Sequence, residues 1–275
     1  MVATLSAVAC VGYFLLSNQG RQILRSFKYE VLLGQPLING VPRTPVDCAT
    51  LLGARTVVLL AFGQSNAANY GRGRYRSKRA VYSFYANRCY RAIDPMPGAD
   101  GGGGSVWSRL GDRLVEEGRA DRVVIATIGV GNTELARWAP TGDLHARLLT
   151  VASELKAAGL APTYLLWHQG ELDRRIGTKP AAYRNDFLGM VTSLRQHEVL
   201  APIYVAQATY CYGEDSPALR QVQFQLADAA RAIRRGPDTD RFAASRYRYD
   251  DCHFSEEGLR AHAEAWLASL SAEAG

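Results

Sequence analysis

The chain has 275 residues, 47% hydrophobic and 21% charged, with 26 glycines and 11 prolines that form no repeat. That balance excludes a disordered, collagenous or coiled-coil chain and is enough to bury a core without staples. The net charge of +6 comes mostly from arginine and is mild. Nucleic acid is not an expected partner, because a single short basic run without stacking aromatics in a recognised module supports it poorly.

From Val2 to Leu16 the chain is uncharged and mostly apolar, and Arg21, Arg25 and Lys28 follow. The run is shorter than the roughly 20 residues of a spanning helix and lacks the basic start of a signal peptide. An N-terminal anchor or uncleaved signal is the first reading, which makes a membrane a partner through this segment. A truncated start and a buried helix of the soluble fold are the others. The segment Ala7-Val8-Ala9-Cys10 resembles a processing or lipidation box, yet the apolar run continues beyond it.

Arg55–Phe62 is a short apolar run ending in glycine, the pattern of a strand buried on both faces. Strands are also expected at Val81–Tyr85, Arg122–Ile128, Thr163–Trp167 and Ile203–Ala206. Helical spacing covers Ser105–Glu117, Asp143–Ala158, Pro180–Glu198 and Pro217–Arg235, the last with Ser216 as N-cap and Gly236 past its end. Ser255 is expected to cap a final helix running to Leu270, with Glu256 and Glu257 in its first turn. Strands alternating with helices mean a parallel sheet covered on both faces. The chain thus divides into an anchor or signal-like segment (1–20), a linker and lead-in (21–54) and a catalytic domain (55–275).

In such sheets ligands sit beyond the carboxyl ends of the strands. Gly63-Gln64-Ser65-Asn66 follows the first run, Gly129 to Thr133 and then Trp138 follow the third, and His168-Gln169-Gly170-Glu171-Leu172-Asp173 follows the fourth. Asp250-Asp251-Cys252-His253 precedes the last helix. A serine hydroxyl needs a base, and the base an orienting acceptor. Ser65 is the candidate nucleophile. His253 is the candidate base because Asp250 lies three residues before it in the same short loop, with Asp251 as the competing carboxylate. His197 and His262 sit in helical patterns and are expected at the surface, and His145 in a first helical turn is expected to be structural. Main-chain N–H groups of Ser65 and of Gly131 or Asn132, with the Gln169 amide, are the groups available to an oxyanion. Asn66, Trp138 and Glu171 are expected around the pocket.

These four blocks resemble those of the SGNH (GDSL-like) hydrolase superfamily, and the His168-Gln169-Gly170-Glu171 block is most similar to its sialate O-acetylesterase and acetylxylan esterase branch. The resemblance implies an α/β/α sandwich of three layers with a five-stranded parallel sheet, flavodoxin-like. It also implies a Ser65–His253–Asp250 triad, deacetylation of carbohydrate esters, and a small-molecule or polysaccharide acetyl ester as substrate, with no metal or other cofactor. Gly131-Asn132 departs from the paired glycines common there, but asparagine accepts left-handed dihedrals more readily than most residues. An acyl transferase on the same scaffold and a non-catalytic, membrane-tethered glycan-binding module are the alternatives.

His168, Glu171 and Asp173 do not have metal-ligand spacing. Cys48, Cys89, Cys211 and Cys252 suit two disulfides in an exported domain, or four buried thiols; a Cys211–Cys252 bridge would tie the loop after the fifth strand to that of His253. The basic run Arg72, Arg74, Arg76, Lys78 and Arg79 reads as a solvated loop or as a rim that attracts an anionic glycan. The glycine-rich Pro97–Ser105 stretch lacks the Lys-Ser/Thr of a phosphate loop and reads as a linker or a cleft edge.

Overall fold

The computed structural model describes residues 17–271, so the Val2–Leu16 run and the readings placed on it lie outside the described residues. Two compact units separate between Pro45 and Val46. In the first, helix α1 (Asn18–Ser26) starts at Ser17, whose hydroxyl accepts from Gly20 N–H at 2.9 Å. A π turn at Phe27–Leu32 and a hairpin of β1 (Leu37–Ile38) and β2 (Val41–Pro42) follow. Among the described residues no helix is long and apolar enough to cross a membrane.

The second unit is built on one sheet. After β3 (Pro45–Val46) come β4 (Thr56–Gly63), β5 (Val81–Tyr85), β6 (Arg88–Arg91), β7 (Arg122–Gly129), β8 (Tyr164–His168), β9 (Ile203–Gln207) and β10 (Ile233–Asp238). The order is β10-β9-β8-β4-β7-β5-β6, with Val46 of β3 at the far edge. The first six of these are parallel, and β6 returns antiparallel on β5. The helices are α2 (Val106–Glu116), α3 (Asp143–Ala157), α4 (Glu171–Ile176), α5 (Pro180–Gln196), α6 (Pro217–Gln225) and α7 (Glu256–Ser271).

Strand β4 shows why the sheet is central. Val58, Leu60 and Phe62 enter a core shared with Leu148 of α3, Phe187 of α5 and Leu219 of α6. Leu59 and Ala61, pointing the other way, enter a second core with Leu110 of α2 and Trp266 of α7. A strand that alternates between two cores has no polar face, which is why it reads as a continuous apolar run. Three layers result.

The sheet has six parallel strands rather than five. The helix expected over Pro217–Arg235 stops at Gln225, and the chain turns at Asp228, whose side chain accepts from Ala230 N–H at 3.0 Å and whose main chain exchanges bonds with Ile233. That turn redirects Ile233 into β10 at the edge of the sheet. Ile233 keeps the helical spacing, so periodicity alone could not separate the two readings. His262 is a second correction: it is fully buried on α7 instead of exposed.

Disulfides join Cys48 to Cys89 and Cys211 to Cys252, each across 41 residues of sequence. Loops of that length restrict the unfolded chain by about 4 kcal/mol per bridge. The Cys48→Ser/Cys89→Ser pair is therefore expected to lose about that much stability in urea denaturation; a change below about 1 kcal/mol would contradict it.

Candidate active site

Strand β4 ends at Gly63, opposite His168 at the end of β8. Gly63 has φ +139°, and a Cβ there would overlap the carbonyl oxygen of His168. That carbonyl accepts from Gln64 N–H at 3.1 Å. The chain then turns through a 3-10 turn at Ser65–Ala67, and the Ala67 carbonyl is held by Trp107 Nε1–H at 2.7 Å. The Gln64 side-chain oxygen accepts from Leu172 N–H at 3.1 Å in the first turn of α4. Glycine thus lets two strand ends converge and leaves Ser65 on the rim. Gly63→Ala, both strained and overlapping, is expected to lower kcat more than tenfold and the melting temperature by several degrees, read by esterase assay and thermal denaturation.

The loop carrying His253 is held from beneath. Arg248 is 2% exposed and donates to the carbonyls of Phe242 and Thr239 at 3.0 Å and to that of Cys252. Its guanidinium lies 4.0 Å from the Phe254 ring centroid. Asp250 accepts from His253 N–H at 2.6 Å and Cys252 N–H at 3.1 Å, and its other oxygen meets His253 Nδ1 at 2.7 Å. Partial burial would push the Asp250 carboxyl up, but the bonds from the His253 ring and main chain outweigh it and hold the group below the usual carboxylate range. A carboxylate on Nδ1 fixes the proton there and leaves Nε2 as the basic nitrogen. Asp251, at φ +63°, turns away and accepts from the Tyr210 hydroxyl.

Ser65 and His253 line one cleft of about 170 Å³ together with Gln64, Tyr70, Asn132 and Tyr212. No hydrogen bond joins the Ser65 hydroxyl to His253 among the described residues. The Tyr70 ring stacks on the His253 ring at 5.1 Å between centroids, and the Tyr249 hydroxyl donates to the Tyr70 carbonyl at 3.0 Å.

The remaining expected residues divide. Gly131 and Asn132 border the cleft, and Asn132 has φ +56°. Gly131 N–H donates to Asp100 at 3.2 Å, and a Cβ on Gly131 would collide with the Tyr70 hydroxyl. Gln169 is not brought to the cleft: it is fully buried, and its amide nitrogen donates to the Thr133 carbonyl at 3.0 Å and to Asp173. Trp138 is also fully buried, packed on Phe62 and Trp167, with its Nε1–H on the Thr133 hydroxyl at 3.2 Å. Glu171 borders the cleft, whereas Asn66 lies behind it and donates to Glu171 and to the Cys252 carbonyl.

His145 is structural, bonded to the Trp138 carbonyl at 2.9 Å and Ser193 at 2.7 Å, and His197 is exposed. Of the basic run, Arg72 lies over the Tyr249 ring at 5.9 Å, while Arg74 donates to the Gly102 carbonyl and Arg79 pairs with Glu116. The glycine-rich stretch pairs with the segment after Ser65 through a Gly71–Gly104 bridge. Tyr70, Arg175 and Tyr212 in the cleft, and Arg248 beneath it, were not anticipated. Only Tyr70 carried a signal, as an aromatic residue five positions after Ser65. No cluster of three or more His, Cys, Asp or Glu able to hold a metal occurs among the described residues.

The fold resembles that of several solved structures. A protein from Arabidopsis thaliana superposes with a TM-score of 0.66 at 17% identity, over 79% of this chain and 98% of the other. NanS gives 0.54 at 15% identity, over 78% and 96%. The acetylxylan esterase Axe2 from Geobacillus stearothermophilus gives 0.50 at 15%, over 80% and 96%. A search of curated proteins finds no match. The family model described as "Carbohydrate esterase, sialic acid-specific acetylesterase" matches residues 55–269, which takes in every strand-end block described above. The chain belongs to that carbohydrate esterase family and is a carboxylic ester hydrolase acting on carbohydrate acetyl esters.

Proposed function

We propose that the protein removes O-acetyl groups from a glycan through an acyl-enzyme on Ser65, with His253 as general base and Asp250 as its orienting acid. The observation that carries this reading is the shared cleft: Ser65 and the imidazole of His253 border the same cavity, and Asp250 sits on the far nitrogen of that ring at 2.7 Å. In the first step Ser65 Oγ bonds to the acetyl carbon, the carbonyl electrons move to oxygen, and the serine proton passes to His253 Nε2. Collapse of the tetrahedral species breaks the ester bond, and the departing sugar oxygen takes the proton from His253. Water repeats the sequence on the acetyl-serine, releasing acetate and restoring the hydroxyl.

The developing oxyanion needs donors aimed at it. Ser65 N–H and Asn132 N–H fill that role here. Gly131 N–H is engaged by Asp100 and the Gln169 amide by Asp173 and Thr133, so neither is assigned to it. Tyr70 and Tyr212 give the cleft aromatic faces suited to a sugar ring.

The two disulfides favour an exported, oxidising location for the domain. Mass spectrometry under non-reducing conditions showing four free thiols would remove that support.

The function is tested by incubating the protein with O-acetylated sialic acid and with acetylated xylan, and following acetate release alongside labelling by a phosphonate probe. Release from either sugar with the probe on Ser65 is the expected result. Labelling at another residue, or a folded protein that releases no acetate from any ester, would overturn the assignment.

A further inference from the structure

Asn66 follows the nucleophile, yet its side chain does not face the cleft. It is 5% exposed. Its Nδ2 donates to Glu171 Oε1 at 2.8 Å and to the carbonyl oxygen of Cys252 at 3.3 Å. Cys252 is the residue before His253, so one amide reaches from the turn that carries Ser65 to the peptide that carries the base. Both acceptors are buried, and one amino group with two hydrogens satisfies both.

The carboxylate that receives this amide is itself fixed. Glu171 Oε1 lies 3.2 Å from His168 Nε2, His168 Nδ1 lies 3.2 Å from His262 Nε2, and Trp266 Nε1 lies 2.9 Å from that same His262 nitrogen. An indole N–H can only donate, so His262 Nε2 carries no proton. His168 Nδ1 must then be the donor to it, which leaves His168 Nε2 facing the Glu171 carboxylate. The direction of both bonds at His262 Nε2 is thus set from α7. Burial would push the Glu171 carboxyl up, but the bonds from His168 and Asn66 hold it below the usual range; burial likewise drives His262 well below its usual value, aided by charge on His168 and Arg248.

We propose that Asn66 is a positioning residue that clamps the Ser65 turn to the His253 loop, and that the Glu171–His168 pair holds the clamp in register. The proposal rests on the triad reading above. It assigns Asn66 to alignment of nucleophile and base instead of to contact with substrate.

A clamp differs from simple packing in what it tolerates. Asn66→Asp keeps the volume but replaces the donor by an acceptor facing a carboxylate and a carbonyl. Asn66→Ala removes the bridge, and Glu171→Gln removes the charge that orients it. On an aryl acetate, Asn66→Asp and Asn66→Ala are each expected to lower kcat about 10²-fold with KM within twofold of wild type, since misplacement of about 1 Å has that effect. The rate of Ser65 labelling by the phosphonate should fall in parallel. Glu171→Gln should lower kcat about tenfold, and the Asn66→Ala/Glu171→Gln double variant should lose no more than the worse single variant, the mark of residues acting as one unit.

An Asn66→Asp enzyme within twofold of wild type in kcat, or losses that multiply in the double variant, would overturn the proposal. If the Asn66 variants fail to fold, Glu171→Gln decides: a KM increase with kcat unchanged would assign the pair to substrate binding instead. Ser65→Ala run beside these separates the two readings. Activity surviving in Ser65→Ala sinks the triad, while an inert Ser65→Ala with a wild-type-like Asn66→Asp sinks only the clamp.

Discussion

Ser65→Ala is expected to lower kcat on an aryl acetate by about 10³-fold or more, with KM little changed. Ser65 is 6% exposed, and its turn is held by main-chain and side-chain bonds that alanine leaves intact: the Trp107 indole on the Ala67 carbonyl and the Gln64 side chain on Leu172 N–H. The substitution deletes one oxygen and leaves the main-chain N–H groups of the site in place. The variant should therefore melt close to wild type, retain ester binding and show no phosphonate adduct. A loss in kcat below about tenfold with an unchanged fold would mean that another group attacks the ester. Arg175, Tyr70 and Tyr212 share the cleft, but none has an orienting carboxylate of the kind that Asp250 offers His253.

The features visible in the sequence share a physical cause. Strands β4, β5 and β7 lie inside the sheet with helices on both faces, so burial wrote them as apolar runs whose bounds are legible to within a residue or two. Strand β10 sits at an edge and holds Arg234, Arg235 and Asp238. A strand with one neighbour and a solvated flank leaves no such run, and Ile233, buried at its start, fits a helix equally well. The β5–β6 hairpin turns on Ala86 and Asn87, both at positive φ. Alanine carries no turn signal, which hid the return strand.

The site divides in the same way. The strand-end motif after the first run marked Ser65, because an α/β sheet gathers its strand ends on one rim, and the Asp250-x-x-His253 spacing ahead of the last helix marked the other two. Which direction a side chain takes from that rim is not written in its neighbours. Gln169 and Glu171 are two residues apart around the start of α4, yet the Gln169 amide turns inward to Asp173 and Glu171 borders the cleft. His262 could have been placed correctly: Leu259, Ala263, Trp266 and Leu270 of α7 are all buried, and a residue three after the first and four before Trp266 lies on that stripe. The partners that give it a role, His168 and Trp266, meet it only in the folded chain.

Asp250→Asn should approach the loss caused by removing the serine, at about 10³-fold to 10⁴-fold in kcat, while Asp251→Asn should stay within about threefold. The two carboxylates are adjacent in sequence and differ only in what they face. Asp250 receives the His253 ring and two main-chain N–H groups, whereas Asp251 receives the Tyr210 hydroxyl. An asparagine at position 250 can present its NH₂ group to the ring and so favour the tautomer with the proton on Nε2, which abolishes the base. Because the Asp250 carboxyl is held below its ordinary value, its charge persists as the pH drops past the usual carboxylate range. Its contribution to stability is fully present above the unfolded-state pKa and disappears only as pH falls through the depressed folded value. Acid titration of the folded protein should therefore show Asp250 ionising below a free aspartate, observed by carboxyl NMR shifts, and Asp250→Asn should flatten the loss of stability in that acid window. The orienting role passes to Asp251 if Asp251→Asn proves the more damaging change.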